Sequence, residues 1–288
     1  MGQVGWVRVF LATSLALASC LSSFGGEAYI YENHWPTLLY QRYLNHPRGI
    51  ILDGSGNVYV ADTWNHRVQM FTSEGAFLAA WGSQGDGPGQ LHFPESVAVD
   101  TDANVYVADT GNSRVQKFDQ AGTAVRTWGR LGVEDGEFDG PQGIWVDRHG
   151  FVFVADTGND RIQVFTTDGD FVGKWGGLGN DSSHFSRPEG VAVDDIGSVY
   201  VLDTGNGLVK KFTSDGEPLK QWGVFGDSQE RFADPEALTV DKDGNIYVAD
   251  TRHGWVQEFS SEGVFLGWWG GFGFELGKLN APQGIGVA

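Results

Sequence analysis

The chain has 288 residues and 37 acidic against 19 basic side chains, a formal charge of −18 that repels phosphate. Without the counterion-release drive, RNA and DNA are excluded as expected partners. Forty-three Gly and nine Pro with only 19% charged residues suit short strands joined by tight turns, an all-β chain rather than a helical bundle.

In chain order, residues 1–8 carry one positive charge, residues 9–17 are short and mostly apolar, and Leu17-Ala18-Ser19-Cys20 ends in the only cysteine. This pattern predicts an export signal over residues 1–20, too short to span a bilayer as a helix. Leu-Ala-Ser-Cys also resembles the lipobox of bacterial lipoproteins. That resemblance implies lipidation at Cys20, attachment to the membrane through this anchor and an extracytoplasmic place in the cell envelope, with plain secretion as the alternative. One cysteine forms no intramolecular disulfide. Residues 21–26 are expected to be a short linker and 27–288 the folded domain.

From Pro47 onward one unit recurs. Asp62, Asp109, Asp156, Asp203 and Asp250 fall 47 residues apart, as do Trp81, Trp128, Trp175, Trp222 and Trp269. Pro47, Pro94, Pro141, Pro188, Pro235 and Pro282 make a third ladder with the same spacing. Repeats of this length mark propeller blades or helical arrays, and the local pattern decides between them. In the first unit, residues 49–52, 58–61, 67–71 and 77–81 are short runs rich in Val, Ile, Tyr and Phe, bounded by Asp-Gly or Gly-Asn turns, which predicts strands. Residues 58–61 are apolar without alternation, as a middle strand packed on both faces requires. Four strands per unit predict a β-propeller of four-stranded blades.

Pro-x-Gly-Ile-x-Val-Asp, then Val-Tyr-Val-Ala-Asp-Thr-Gly-Asn-x-Arg-Val-Gln-x-Phe, then Phe-x-x-x-Trp-Gly resembles the NHL repeat. The resemblance implies a six-bladed propeller, mostly a binding scaffold and in one branch a zinc-dependent lyase. Five units are complete. A sixth shows one strand, residues 284–287, with Ala288 in the slot of Asp53, Asp100, Asp147, Asp194 and Asp241. Residues 29–35 are placed to give that blade its outer strand, so two strands, roughly thirty residues, are expected to be missing.

Repetition separates structural from functional residues. Asp62 with Arg67, Asp109 with Arg114 and Asp156 with Arg161 read as loop braces, since a catalytic group is needed once. The tryptophan ladder reads as packing between blades. Asp100-x-Asp102-x-Asn104 and Asp241-x-Asp243-x-Asn245 mimic the start of a calcium loop, but Ile246 and Arg252 stand where an EF-hand needs Gly and Glu, and a hairpin turn fits better. The acidity then reads as solubility, with calcium or a basic partner as alternatives.

Departures from the repeat cluster in the loop between second and third strands. Trp64 and Arg252 replace glycine, His253 replaces asparagine, and Leu208 and Trp255 replace arginine. With His66, and with His92, His184, Glu134, Asp135, Glu137 and Asp139 in the connectors between blades, they fall on one face. The candidate partner-binding residues are therefore Trp64, His66, His92, His184, Arg252, His253 and Trp255. The leading expectation is a non-catalytic extracytoplasmic propeller, without a cofactor or a metal, engaging a protein, a peptide or an envelope polymer through this face. The rival is an enzyme resembling the peptidyl-hydroxyglycine lyases, whose zinc histidines directly follow the first-strand proline. Those slots hold Arg48, Glu95, Gln142, Glu189, Glu236 and Gln283, so the resemblance does not supply that zinc site.

Overall fold

The computed structural model describes residues 6–12, 17–23, 30–35, 43–273, 275 and 277–287, with side chains from residue 43 onward. Each repeat folds into one antiparallel four-stranded sheet. In the first, Ile50–Leu52 lies at the axis, followed outward by Val58–Asp62, Arg67–Phe71 and Phe77–Trp81. The next four blades begin at Ser96–Val99, Ile144–Val146, Pro188–Val193 and Pro235–Val240 and follow the same order. The second strand is buried along its whole length in the first blade, as its unbroken apolar run demands.

The tryptophan ladder packs between blades. Each indole leans on the third strand of the next blade: Trp81 on Phe118, Trp128 on Phe165, Trp175 on Phe212 and Trp222 on Phe259, with ring centroids 6.0 to 6.3 Å apart. Gly216 then lies flat on Trp175. Its φ is +86°, and a Cβ there would stand 2.6 Å from the indole.

The two chain ends share a further sheet. Gly284–Val287 is its inner strand and joins the first strands of the five blades in a closed ring around the axis. Trp6–Ala12 pairs with it (Leu11 opposite Ile285), Leu17–Ser23 pairs with Trp6–Ala12 (Cys20 opposite Val9), and Ile30–Trp35 is outermost. Here the structure departs from the sequence reading. The two strands expected to be missing are filled by residues read as an export signal, and residues 21–23 of the expected linker are strand. The reason is physical: a short apolar run meets the needs of a signal core and of a blade's middle strand alike. Residues 24–26 of that linker, Tyr29, Ala288 and the Cys20 side chain lie outside what is described.

Candidate functional site

The loops between second and third strands open on one face of the ring, and the ladder aspartates hold that face together. Each buried carboxylate accepts through Oδ1 a backbone N–H of the preceding connector: Asp62 from Asn45, Asp109 from His92, Asp156 from Asp139, Asp203 from Ser186 and Asp250 from Ala233, at 2.7 to 2.9 Å. Oδ2 meets a cation. In the first three blades it is Arg67, Arg114 or Arg161, each with Nε at 2.7 Å. Burial pushes the carboxyls of Asp156 and Asp250 up, and the hydrogen bonds only partly offset it. The Asp–Arg ladder is thus a brace.

The same brace explains several departures from the repeat. Leu208 removes the arginine of the fourth blade, but Lys210 replaces the usual glutamine two residues on, and its Nζ sits 2.8 Å from Asp203. Trp255 removes the arginine of the fifth blade, but His253 replaces asparagine and places Nδ1 2.8 Å from Asp250 Oδ2. Its other ring nitrogen lies 3.4 Å from Asp227, and its ring stacks on Trp255 at 4.2 Å. Of the expected binding residues, His253 thus braces Asp250, and Trp255, half-buried, meets both the His253 ring and that of Trp268, the latter at 4.9 Å. His184 is exposed and bonds Asp181 at 2.8 Å within its own connector. Glu137 pairs with Arg130, which holds its carboxyl below the usual range, and Asp135 pairs with Lys174.

Trp64 and Arg252 differ in kind. In the middle blades the slot is glycine because the connector passes too close: a Cβ on Gly111 would meet the His92 carbonyl at 2.6 Å, and one on Gly205 the Ser186 carbonyl at 2.5 Å. The glycine N–H donates to that carbonyl at 2.8 Å, whereas Trp64 and Arg252 donate to Asn45 and Ala233 at 3.1 Å. The connector gives way, and both side chains stay exposed.

Two aromatic and imidazole clusters form at the first blade's end of the face. Trp64 is 53% exposed and stacks on His46 at 4.0 Å. His66 and His92 stack at 5.5 Å, and Phe93, 39% exposed, meets both rings at under 5 Å. His66 Nδ1 accepts the Phe93 N–H, and burial together with His92 lowers its proton affinity. The structure therefore stacks His66 on His92, keeps Trp64 in the same loop as His66, and leaves Arg252, His253, Trp255 and His184 without a contact to them.

Sequence reasoning missed His46 and Phe93. They share a position: the residue before each ladder proline, occupied by His46, Phe93, Gly140, Arg187, Asp234 and Ala281, has φ between 47° and 60° at all six rungs. A residue before proline resists that region, so the surrounding bonds must hold it there. Phe93, Arg187 and Asp234 at these positions are exposed.

Just inside stand the six residues after the prolines. Arg48, Glu95, Gln142, Glu189, Glu236 and Gln283 line a cavity of about 60 Å³ at the mouth of the central channel. Arg48 Nη1 lies 3.5 Å from Glu95 and 3.6 Å from Glu236, Gln283 donates to Glu236 at 2.9 Å, and Arg187 reaches Glu189 at 2.9 Å and Asp234 at 3.2 Å. Burial raises all three glutamates, Glu189 to about 8. The donor set does not fit the catalytic zinc of the lyase branch: it has no imidazole and places a guanidinium among the carboxylates. Among the described residues no three histidines, cysteines or carboxylates converge as metal ligands.

The NHL repeat matches residues 44–71, 91–118, 138–165, 185–212 and 232–259, so the chain carries five NHL repeats. No curated protein matches the sequence. Among solved structures, one from a nidogen/laminin complex is similar over 98% of both chains, with 18% identity and a TM-score of 0.70. A protein of unknown function from Bacteroides caccae is similar over 98% of this chain and 99% of its own, with 12% identity and a TM-score of 0.65. A virginiamycin B lyase from Staphylococcus aureus covers 76% of this chain and 68% of its own, with 14% identity and a TM-score of 0.57. At these identities the likeness is one of fold.

Proposed function

We propose that this NHL-repeat propeller is a non-catalytic binding protein that engages a protein or peptide partner through the face bearing Trp64. The observation that carries this reading is the pair of exposed aromatics at this end of the face. Trp64 and Phe93 are half-exposed aromatics braced by His46, His66 and His92, and rigid aromatics of this kind supply interface energy at little entropic cost. The similar chain from a nidogen/laminin complex supports a partner of protein class. An enzyme of the lyase kind is disfavoured by the ring of Arg, Glu and Gln in the slots where that branch holds its metal.

The test is a peptide-display selection on the immobilised protein, repeated on a Trp64→Ala/Phe93→Ala variant. Selected peptides should lose at least ten-fold in affinity on the variant. Peptides that bind both forms alike would place the binding surface elsewhere.

The same proposal includes export, with Cys20 as a lipid anchor on the envelope and plain secretion as the alternative. Its support is the charged start, the apolar run and Leu17-Ala18-Ser19-Cys20. Removal of residues 1–19 would also remove Trp6–Ala12 and part of Leu17–Ser23 from the closing sheet, so the two uses of this segment exclude each other in one molecule. Mass spectrometry of the mature protein decides: a diacylated Cys20 at the N-terminus supports anchoring, and an intact residue 2 or an unmodified later start refutes it.

A further inference from the structure

We propose that the end of the central channel remote from the binding face is a second site, for a free, neutral aromatic molecule of one or two rings that carries one hydrogen-bonding atom. It is independent of the binding reading above, because the two sites open at opposite ends of the channel.

One slot of the repeat shapes this chamber. Ile51, Ala98, Trp145, Ala192, Thr239 and Gly286 stand 47 residues apart on the first strands of the six sheets. Five are no larger than isoleucine and one is tryptophan. The Trp145 indole packs on the cores at both sides of the fourth blade, so it reaches across the inner strand of that blade, where Ala192 is small. What remains open is a cavity of about 210 Å³ lined by Ile51, Leu52, Ala98, Trp145, Thr239 and Val287 among others.

The chemistry comes from Thr239, which lines the cavity and is only 1% exposed. Its hydroxyl is buried and has no hydrogen-bond partner among the described residues. The residue opposite it in the sheet, Tyr247, already gives its own hydroxyl to Asp241 and Glu258. A buried hydroxyl without a partner is costly, and valine would fill the same space without that cost. Size sets the rest. About 210 Å³ lies above the roughly 150 Å³ that holds benzene and below the roughly 300 Å³ where drug-sized sites begin. One or two fused rings fit, with the Trp145 indole as an aromatic wall for edge-on or offset contact.

The rim says that the guest is a free molecule and not a side chain of a partner. At this end the first and second strands join through short hairpin turns, residues 53–57, 100–104, 147–150, 194–198 and 241–245. Each closes on its leading aspartate, whose Oδ1 accepts the backbone N–H two residues on at 2.9 to 3.1 Å. Ile196 is the only exposed large apolar side chain in these turns. A docked protein would find no aromatic anchor here, in contrast to the opposite face. The same aspartates, with Asp102, Asp195 and Asp243 against Arg148 and Lys242, make the entrance acidic and oppose a carboxylate guest.

The experiment titrates the methyl-labelled full chain with phenol, indole, toluene, benzoate and a tyrosine-containing hexapeptide, followed by NMR. Phenol and indole should give saturable shifts at the methyl groups of Ile51, Val99, Val240 and Thr239. Phenol should bind about five-fold more tightly than toluene, the worth of one hydrogen bond. Benzoate should give no shift, and the hexapeptide should bind more weakly than phenol. Thr239→Val should melt at or above the wild-type temperature, since the unpartnered hydroxyl is gone, and should bind phenol and toluene alike. No saturable shift at these methyl groups, equal binding of phenol and toluene to the wild type, or a Thr239→Val protein that still prefers phenol overturns the proposal. Tighter binding of the hexapeptide than of phenol refutes the free-molecule source. If Thr239→Val fails to fold, the ratio of phenol to toluene affinity in the wild-type protein still decides.

Discussion

Lys210 places its ammonium 2.8 Å from the carboxylate of Asp203, both side chains buried, in the one blade where the bracing arginine has become Leu208. Two departures from the repeat are thus a single substitution of one cation for another. Lys210→Gln restores the usual glutamine but leaves Asp203 without a cation and should cost about 3–5 kcal/mol, the scale of a broken buried pair. Adding Leu208→Arg rebuilds the brace of the first three blades and should recover most of the loss. Urea denaturation of the single and double variants measures both.

The fifth blade solves the same problem with a histidine. His253→Ala should destabilise by about 2–3 kcal/mol, because the buried Asp250 loses the group 2.8 Å from its Oδ2. His253→Asn with Trp255→Arg restores the asparagine and arginine of the first three blades, and should melt close to wild type. A double variant no better than His253→Ala would show that the blade's shape, and not its charge, demanded the change.

Much of this was legible in the sequence. The 47-residue ladders yield the blade, its four strands to within a residue, the brace and the packing role of the tryptophans. Less legible was which departures are functional. Leu208 with Lys210, and Trp255 with His253, compensate each other across strand neighbours two residues apart, and a position-by-position comparison sees four exceptions where space holds two repairs. His46 and Phe93 escaped because no repeat consensus exists before the proline; the signal available was variability next to an invariant residue. Residues 6–12 and 17–23 admit two readings, because a blade's strands and insertion into a translocation channel ask for the same apolar run.

Removing one indole tests the packing between blades. Trp175→Ala should cost about 3 kcal/mol, at the low end for a tryptophan because its ring is only partly buried against Phe212 and Gly216. Gly216→Ala should also destabilise, since its φ of +86° and the nearby indole both oppose a Cβ. Losses below 1 kcal/mol in both would contradict the ladder's role.

The channel mouth predicts a pH dependence of definite sign. Burial raises Glu189 from about 4.5 to about 8, so its contribution to stability is fully present below the lower value and is lost as pH rises through the upper one. Stability should therefore fall between about pH 5 and pH 8 by an amount on the order of a few kcal/mol. Glu189→Gln should flatten that slope, as followed by denaturation midpoints across the range. An unchanged slope would mean that the carboxylate is already fully compensated by Arg187.

The central claim is that one face of the ring binds a partner, and hydrogen exchange on a complex with a selected peptide tests it most directly. The account predicts slowed exchange at residues 46–49, 64–67 and 92–96, with the outer strands Phe77–Trp81 and Pro218–Trp222 unchanged. Protection confined to the outer strands or to the opposite end of the channel, with the residues around Trp64 exchanging as in the free protein, would contradict it.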